Sequence, residues 1–473
     1  MSISIVLKIQ PKVSIVVGLF IVWLVASGII IYRINTRGAY ASIGSTDALN
    51  YIKEVGQADP ASVRLNQSYS QWALALNMSD PSNYIKTGLG FAEGKGVSLK
   101  NITPEDPHSN KYLAYYFQAP GTAIVIGTMI KLFGEQSVWP YFILIAGIHF
   151  ITALLTCILA SRFIKEDVYI FAVGLLSLLS LPILDFTFGV GLFSSEPLAA
   201  PFIVISLIAI SNFWAGVRNN AFSLKVVCLS ALVFGGALGC AAYFRDVYAI
   251  FAKFSFAILI LIGLLQRNRL KQVALFVLIS SIVLFAIQYP WEKRNQRHFG
   301  EFTMSGSGYC STGLWDQIWS DYKESAKWSG NAAMGLGNYL APEKTAPVIG
   351  LLSANKQQGN KYAWQCLIEA ICKKPSQAIW FKLRAYDCLW FGQRQYWYIY
   401  AWCLLSTLSF FVFLWMTRFK FIPEIWLFPL FLLCISPLIH YEHRYAHPFL
   451  FFLTPIAAMY VVRYWRSKDH LVV

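Results

Sequence analysis

The sequence predicts an all-α polytopic membrane protein with about ten transmembrane helices and additional re-entrant or juxtamembrane helices. Composition is the first reason: 56% of the 473 residues are hydrophobic and only 13% are charged, where a soluble chain of this length would carry about 25% charged residues. The second is length, because many apolar runs reach the roughly 18 to 20 residues that cross a bilayer. The third is charge placement. The net charge of +15 is spread over short loops between apolar runs, which suits positive-inside loops rather than a nucleic-acid-binding stripe.

The first apolar stretch follows Lys8 and Lys12 and has no small-residue cleavage site, so it reads as a retained anchor rather than a signal peptide. Apolar runs place spans near 13–32, 138–161, 168–186, 197–216, 226–243, 247–265, 271–289, 397–416, 423–440 and 446–463. The run 119–134 is short and holds Pro120 and three glycines. Parity assigns it a re-entrant or interfacial role. If it does not cross, Arg162/Lys165, Arg218/Lys225, Arg267/Arg269/Lys271, Arg418/Lys420 and Arg463/Arg466/Lys468 all share a side with Lys8 and Lys12. That is the arrangement the positive-inside rule requires. Arg33 and Arg37 oppose it, and the later loops outweigh them.

The chain thus reads as one membrane-embedded domain, 1–473, with two large outer segments at 33–137 and 290–396. Cys157, Cys228, Cys240, Cys403 and Cys434 fall in apolar spans, where cysteine serves as a small hydrophobe. Cys310, Cys366, Cys372 and Cys388 share the second outer segment. In an oxidising compartment these four allow up to two disulfides in three connectivities, and they lack zinc-ligand spacing. Three Asn-x-Ser/Thr sequons begin at Asn66, Asn77 and Asn101, and chance accounts for them unless the host glycosylates asparagine.

Five polar constellations interrupt the apolar pattern on the outer side. The first is Asp80-Pro-Ser-Asn-Tyr84, followed by Gly88, Gly90, Gly94 and Gly96, then Gln118-Ala-Pro120-Gly121 and Lys131-Leu-Phe-Gly134. Asp80 and Tyr84 share a helix face at i and i+4. A carboxylate there suits a general base, although Ser79-Asp80-Pro81 also reads as a helix start. The second is Ser195-Glu196-Pro197, where Glu196 either favours a helix N-terminus or contacts a substrate or metal at the bilayer edge. The third is Tyr243-Phe-Arg245-Asp246, read as a local Arg–Asp pair or as a guanidinium fork for a phosphate. The fourth, Pro290-Trp291-Glu-Lys-Arg294-Asn295, begins with an interfacial-belt tryptophan. The fifth is His440-Tyr-Glu442-His443-Arg444-Tyr445-Ala-His447-Pro448. Its histidines are spaced i, i+3, i+7, but no matching ligand set stands out elsewhere.

In this order these motifs resemble the GT-C superfamily of integral-membrane glycosyltransferases, which includes aminoarabinose transferases and protein O-mannosyltransferases. The resemblance spans about 13–465 and is strongest at 80–134, 190–200, 288–300 and the C-terminal signature. It implies a GT-C-type fold and transfer of a sugar from a polyprenyl-phosphate carrier to an outer acceptor, which is a glycan, a lipid or a protein. By the same resemblance Asp80 is the catalytic base. Asp47 repeats the Asp-x3-Tyr pattern nearer the first span, but only Asp80 has the downstream glycines in register. Arg245, Arg294 and Arg444 become donor-phosphate ligands. Tyr84, Gln118, Glu196, Trp291, Asn295, Glu442 and Tyr445 become substrate contacts.

No cofactor is certain. Asp80, Glu196 and Glu442 offer oxygen ligands to Mg²⁺ or Mn²⁺, and an arginine-only phosphate site is the alternative. No Walker loop or Rossmann fingerprint is present. A polysaccharide polymerase or ligase, using a lipid-linked chain and a large-loop site, is the neighbouring enzymatic expectation. A transporter fits less well, because no inverted halves with mid-membrane charges are seen. The expected setting is a bacterial plasma membrane with both termini cytoplasmic.

Overall fold

A computed structural model describes residues 12–37, 63–76, 80–115, 118–179, 184, 192–218, 223–305, 314–315, 335–391, 397–418, 420, 422–435 and 452–469. Two compact units emerge: one holds 1–306, 409–427 and 451–473, the other 307–408 and 428–450. The expected residues Asp47, His440, Glu442, His443, Arg444, Tyr445 and His447 lie outside the described residues, as do Cys310 and the side chain of Asp80.

Among the described residues, six helices of the first unit are long and apolar enough to cross a membrane. They are α1 (Val13–Arg37), α5 (Trp139–Ala160), α7 (Glu196–Arg218), α8 (Leu224–Phe244), α9 (Val247–Leu265) and α10 (Leu270–Phe299). The chain is an integral membrane protein, since only lipid accommodates so many exposed apolar flanks. Shorter apolar helices include α4 (Gly121–Phe133), α6 (Asp167–Leu179) and α16 (Pro423–Ile435). At 1.5 Å per residue, the 13 residues of α4 reach only about 20 Å, short of the roughly 30 Å hydrocarbon core.

Lipid supplies no hydrophobic drive between helices, so close backbone approach and internal hydrogen bonds do the packing. Helices α8 and α10 show how. A Cβ on Gly235 would lie 2.4 Å from the Ser280 carbonyl oxygen. Ser280 Oγ meanwhile donates to the Ala231 carbonyl at 3.1 Å, and the Tyr243 hydroxyl donates to Ile287 O at 3.0 Å.

The first outer segment folds over one end of the bundle. Helix α2 (Tyr69–Ala75) begins with a Ser68/Gln71 capping box, which satisfies two orphan donors at once. Ser82 Oγ donates to Ala73 O at 2.7 Å and seats α3 (Asp80–Ala92) on α2. Tyr69 and Trp72 pack edge-on against Phe193, and Tyr141 stacks on it at 4.9 Å. Burial among these rings pushes the Tyr69 phenol well above its ordinary pKa.

Helices α3 and α4 approach through glycine: a Cβ on Gly127 would sit 2.6 Å from the Gly88 carbonyl oxygen. A two-stranded antiparallel hairpin follows α3, with β1 (Ser98–Lys100) paired to β2 (Tyr112–Ala114). Glu93 ties it down by accepting from Lys100 Nζ at 2.5 Å and from the Tyr112 hydroxyl. That carboxylate pushes the Tyr112 phenol up to about 12.

Ion pairs define the opposite end. Lys12 meets Asp167, Arg463 Nε meets Glu166 at 2.6 Å, and Arg218 lies 3.9 Å from Glu424. Of the residues that parity placed on one side, Lys12, Arg218 and Arg463 make these pairs.

The second unit holds α11 (Leu336–Leu340), α12 (Thr345–Ala354), α13 (Lys356–Lys373) and α14 (Pro375–Phe391). Its centre is Trp315, fully buried, with Nε1 donating to Ala363 O at 3.3 Å and Gly337 against its ring. Helix α15 (Trp397–Met416) follows, and α17 (Thr454–Asp469) ends the described chain. Cys366 and Cys372 carry free thiols.

Two outcomes are expected. Gly235→Val forces a methyl-sized clash into the α8–α10 contact and should destabilise the protein by about 1–3 kcal/mol, read as a lowered Tm in detergent. The Tyr112 phenol is raised, so its contribution is complete below pH 10 and is lost as pH rises through about 12. Glu93→Gln should bring that ionisation back toward 10, measured as the Tyr112→Phe difference in the alkaline ultraviolet titration.

Candidate functional site

Helix α7 begins at Ser195-Glu196-Pro197, and Pro197 suits the first turn because its missing N–H would be unbonded there anyway. Glu196 is only 1% exposed. An isolated carboxylate could not ionise at that depth. Its partner is Arg245, whose Nη1 donates to Glu196 Oε1, while Ser195 Oγ donates to Oε2 at 3.2 Å. Arg245 occupies the extended residue after α8, where the helix C-terminus also favours a cation. Tyr248 is buried beside the pair. The pairing thus runs between helices.

Asp246 instead accepts a hydrogen bond from Ser305 Oγ. Residues 300–305 reach the α8–α9 turn because the end of α10 holds them in place. Trp291 Nε1 donates to Met304 O at 2.7 Å, and Asn295 Nδ2 donates to Thr303 O at 2.8 Å. Both Trp291 and Asn295 are buried. The hydrogen bonds that these two side chains donate go to the protein's own backbone.

Arg294 is similarly engaged. Nη1 donates to Tyr115 O at 3.2 Å and to Asn295 Oδ1 at 2.9 Å, and Nη2 donates to Val97 O at 3.0 Å. The guanidinium also lies over the Trp291 ring at 4.5 Å and the Phe299 ring at 5.3 Å. Val97 and Tyr115 flank the two hairpin strands, so Arg294 clamps the hairpin to α10.

The start of α4 closes on the same region. A Cβ on Gly121 would lie 2.6 Å from the Tyr243 carbonyl oxygen, two residues before Arg245. Only glycine admits that approach. Just before it, Gln118 is 8% exposed, and neither its Oε1 nor its Nε2 has a hydrogen-bond partner. Thr122 Oγ1, in the first turn of α4, is likewise buried without one. Orphaned buried amides are uncommon in folded proteins.

Asp80 opens α3. Tyr84, one turn on, is 5% exposed and packs in the apolar cluster with Tyr69 and Tyr141. Among the described residues, no group of three His, Cys, Asp or Glu side chains could hold a metal. Glu196 is the only carboxylate of the expected oxygen set whose side chain is described.

The residues that sequence reading missed are Ser305, Tyr248 and the carbonyls of Val97 and Tyr115. Backbone acceptors carry no side-chain signature. Ser305 is identified only by the fold-back of the chain after Gly300.

No protein-family profile matches this chain, and no curated protein matches it either. Two solved structures do align over nearly its whole length. ArnT from Cupriavidus metallidurans bound to undecaprenyl phosphate is 12% identical with a TM-score of 0.38, covering 96% of this chain and 79% of that one. ArnT from the same organism in the apo state is 13% identical with a TM-score of 0.39, covering 94% and 76%.

The Glu196–Arg245 pair should act as one unit. Glu196→Ala removes the buried carboxylate that Arg245 binds and should destabilise the protein by about 3–5 kcal/mol. Thermal unfolding of Glu196→Ala, Arg245→Ala and the double variant should show the double costing far less than the sum. Additive losses would contradict the pairing.

Proposed function

We propose that this protein is a GT-C-like integral-membrane glycosyltransferase that moves a sugar from a polyprenyl-phosphate donor to an acceptor on the outer side. One observation carries the reading: the buried Arg245–Glu196 pair, at the end of the bundle opposite the basic loops, joins two of the five motifs that resemble this superfamily. The proposed topology has ten spans, with basic ends cytoplasmic and the 33–137 and 290–396 segments outside, in a bacterial plasma membrane.

Asp80 takes the proton from the acceptor hydroxyl or amine. The acceptor atom then forms its bond to the anomeric carbon as the bond from that carbon to the phosphate oxygen breaks. The electron pair leaves with the carrier phosphate, and the anomeric centre inverts. Arg245, held by Glu196, and Arg444 neutralise the charge that grows on the phosphate, the kind of preorganised stabilisation worth several kcal/mol in a dry site. By the same resemblance Glu442 and Tyr445 of the C-terminal signature are further substrate contacts.

Gln118 supplies a buried amide to sugar or phosphate oxygens, and this would satisfy its orphaned atoms. The backbone bonds of Arg294, Trp291 and Asn295 favour a supporting role for all three, holding the hairpin and residues 300–305 around the donor. A divalent cation held by Asp80, Glu196 and Glu442 would require Glu196 to leave Arg245, and the arginine-only phosphate site needs no such exchange.

The test is transfer of labelled sugar from synthetic polyprenyl-phosphate donors by purified protein in lipid nanodiscs. Asp80→Asn should lower turnover more than about a hundredfold with donor binding retained. Arg245→Gln should weaken both donor binding and turnover. Normal turnover in well-folded Asp80→Asn would remove Asp80 and move the base to Asp47. No donor binding by the wild type would end the transferase reading.

A further inference from the structure

A second polar site lies at the other end of the first unit, far along the helices from the Glu196–Arg245 pair. A cavity of about 430 Å³ opens there, lined by Arg162, Lys165, Arg218, Ser211, Glu424 and Tyr460, among others. Its volume falls within the roughly 300–1,000 Å³ usual for small-molecule sites. Three cations face one carboxylate, so the cavity carries excess positive charge.

Hydrogen bonding inside it is incomplete. Arg162 Nε and Nη2 are buried with no partner, and so is Glu424 Oε2. Glu424 is 1% exposed. Its other oxygen accepts from Ser211 Oγ at 3.0 Å, with Arg218 Nη2 at 3.9 Å. A guanidinium with two shielded, unsatisfied nitrogens and a carboxylate with one unsatisfied oxygen carry opposite demands. The first calls for an anionic acceptor and the second for a donor. A ligand with both groups a few ångströms apart meets both at once.

We propose that this cavity binds a phosphate ester bearing an adjacent hydroxyl. The phosphate sits on Arg162, Lys165 and Arg218, and the hydroxyl donates to Glu424 Oε2. A phosphoglycerol lipid headgroup and soluble glycerol phosphate share this chemistry. Its place at the ends of α5, α7 and α16 is the level at which lipid headgroups stand beside a helix bundle. The proposal is independent of the transferase reading, since none of these residues belongs to the proposed donor site.

Native mass spectrometry of the full-length protein, released from nanodiscs of phosphatidylcholine alone or mixed with phosphatidylglycerol, tests the lipid source. Equilibrium dialysis of radiolabelled glycerol phosphate against delipidated protein tests the soluble one. Wild type should retain phosphatidylglycerol over phosphatidylcholine, and Arg162→Gln/Arg218→Gln should lose about tenfold in occupancy. Saturable glycerol phosphate binding, lost in the same variant and without any lipid preference, assigns the soluble source. Absence of both a lipid preference and glycerol phosphate binding in the wild type overturns the proposal, as does undiminished binding in the variant. If the double variant does not fold, photocrosslinking of wild type with azido-phosphatidylglycerol and azido-glycerol phosphate decides. Labelling of peptides spanning 162–165 or 417–424 supports the site, and labelling only elsewhere refutes it.

Discussion

A carboxylate sealed at the head of a transmembrane helix is tolerable only when a cation reaches it, and at Glu196 that cation comes from a different helix pair. The Arg245 bridge therefore does more than neutralise charge. It fixes the start of α7 against the α8–α9 turn, and the neighbouring carboxylate of that turn receives Ser305. Trp291 and Asn295 hold the segment that carries Ser305, and between them Arg294 holds the hairpin. Remove the pair, and the parts of the outer layer lose their common reference point.

That dependence explains why so many functional-looking residues turn out to bind backbone. Arginine and asparagine at a membrane edge need partners whether or not a substrate is present, and carbonyls are the nearest acceptors. Arg294 is fully occupied in gripping Val97 and Tyr115, whereas Gln118 is buried with nothing to bind. Side-chain type alone does not separate these two conditions.

The broad architecture was legible because lipid imposes a coarse rule: long apolar runs must be helical, and basic loops must share a side. Both follow directly from residue order, and the ends of α1, α6, α7 and α16 meet through Lys12, Asp167, Arg218 and Glu424 as parity requires. The pairing of Glu196 with Arg245 was not legible. Each was recognisable as a charged residue at an apolar boundary, but 49 residues separate them, and the adjacent Asp246 offered a simpler partner. The glycines after Asp80 entered only as part of the family resemblance. In the structure Gly88 and Gly127 answer a packing need between α3 and α4. The cavity beside Arg162 had no sequence signature, because its lining comes from four separate stretches, 162–165, 211–218, 417–424 and 460, that residue order alone does not bring together.

Helix α10 runs for 30 residues, which is about 45 Å and some 15 Å more than the hydrocarbon core it crosses. Its surplus is the portion from Pro290 onward, a mast that carries Trp291, Arg294 and Asn295 beyond the apolar run. The hairpin and residues 300–305 hang from that mast at a height set by the helix, while lipid-facing residues set where its base floats. A thicker bilayer would draw the mast inward, or tilt it, and lower the outer layer toward the headgroups. Membrane thickness is in this way mechanically connected to how far the outer site stands from the lipid surface.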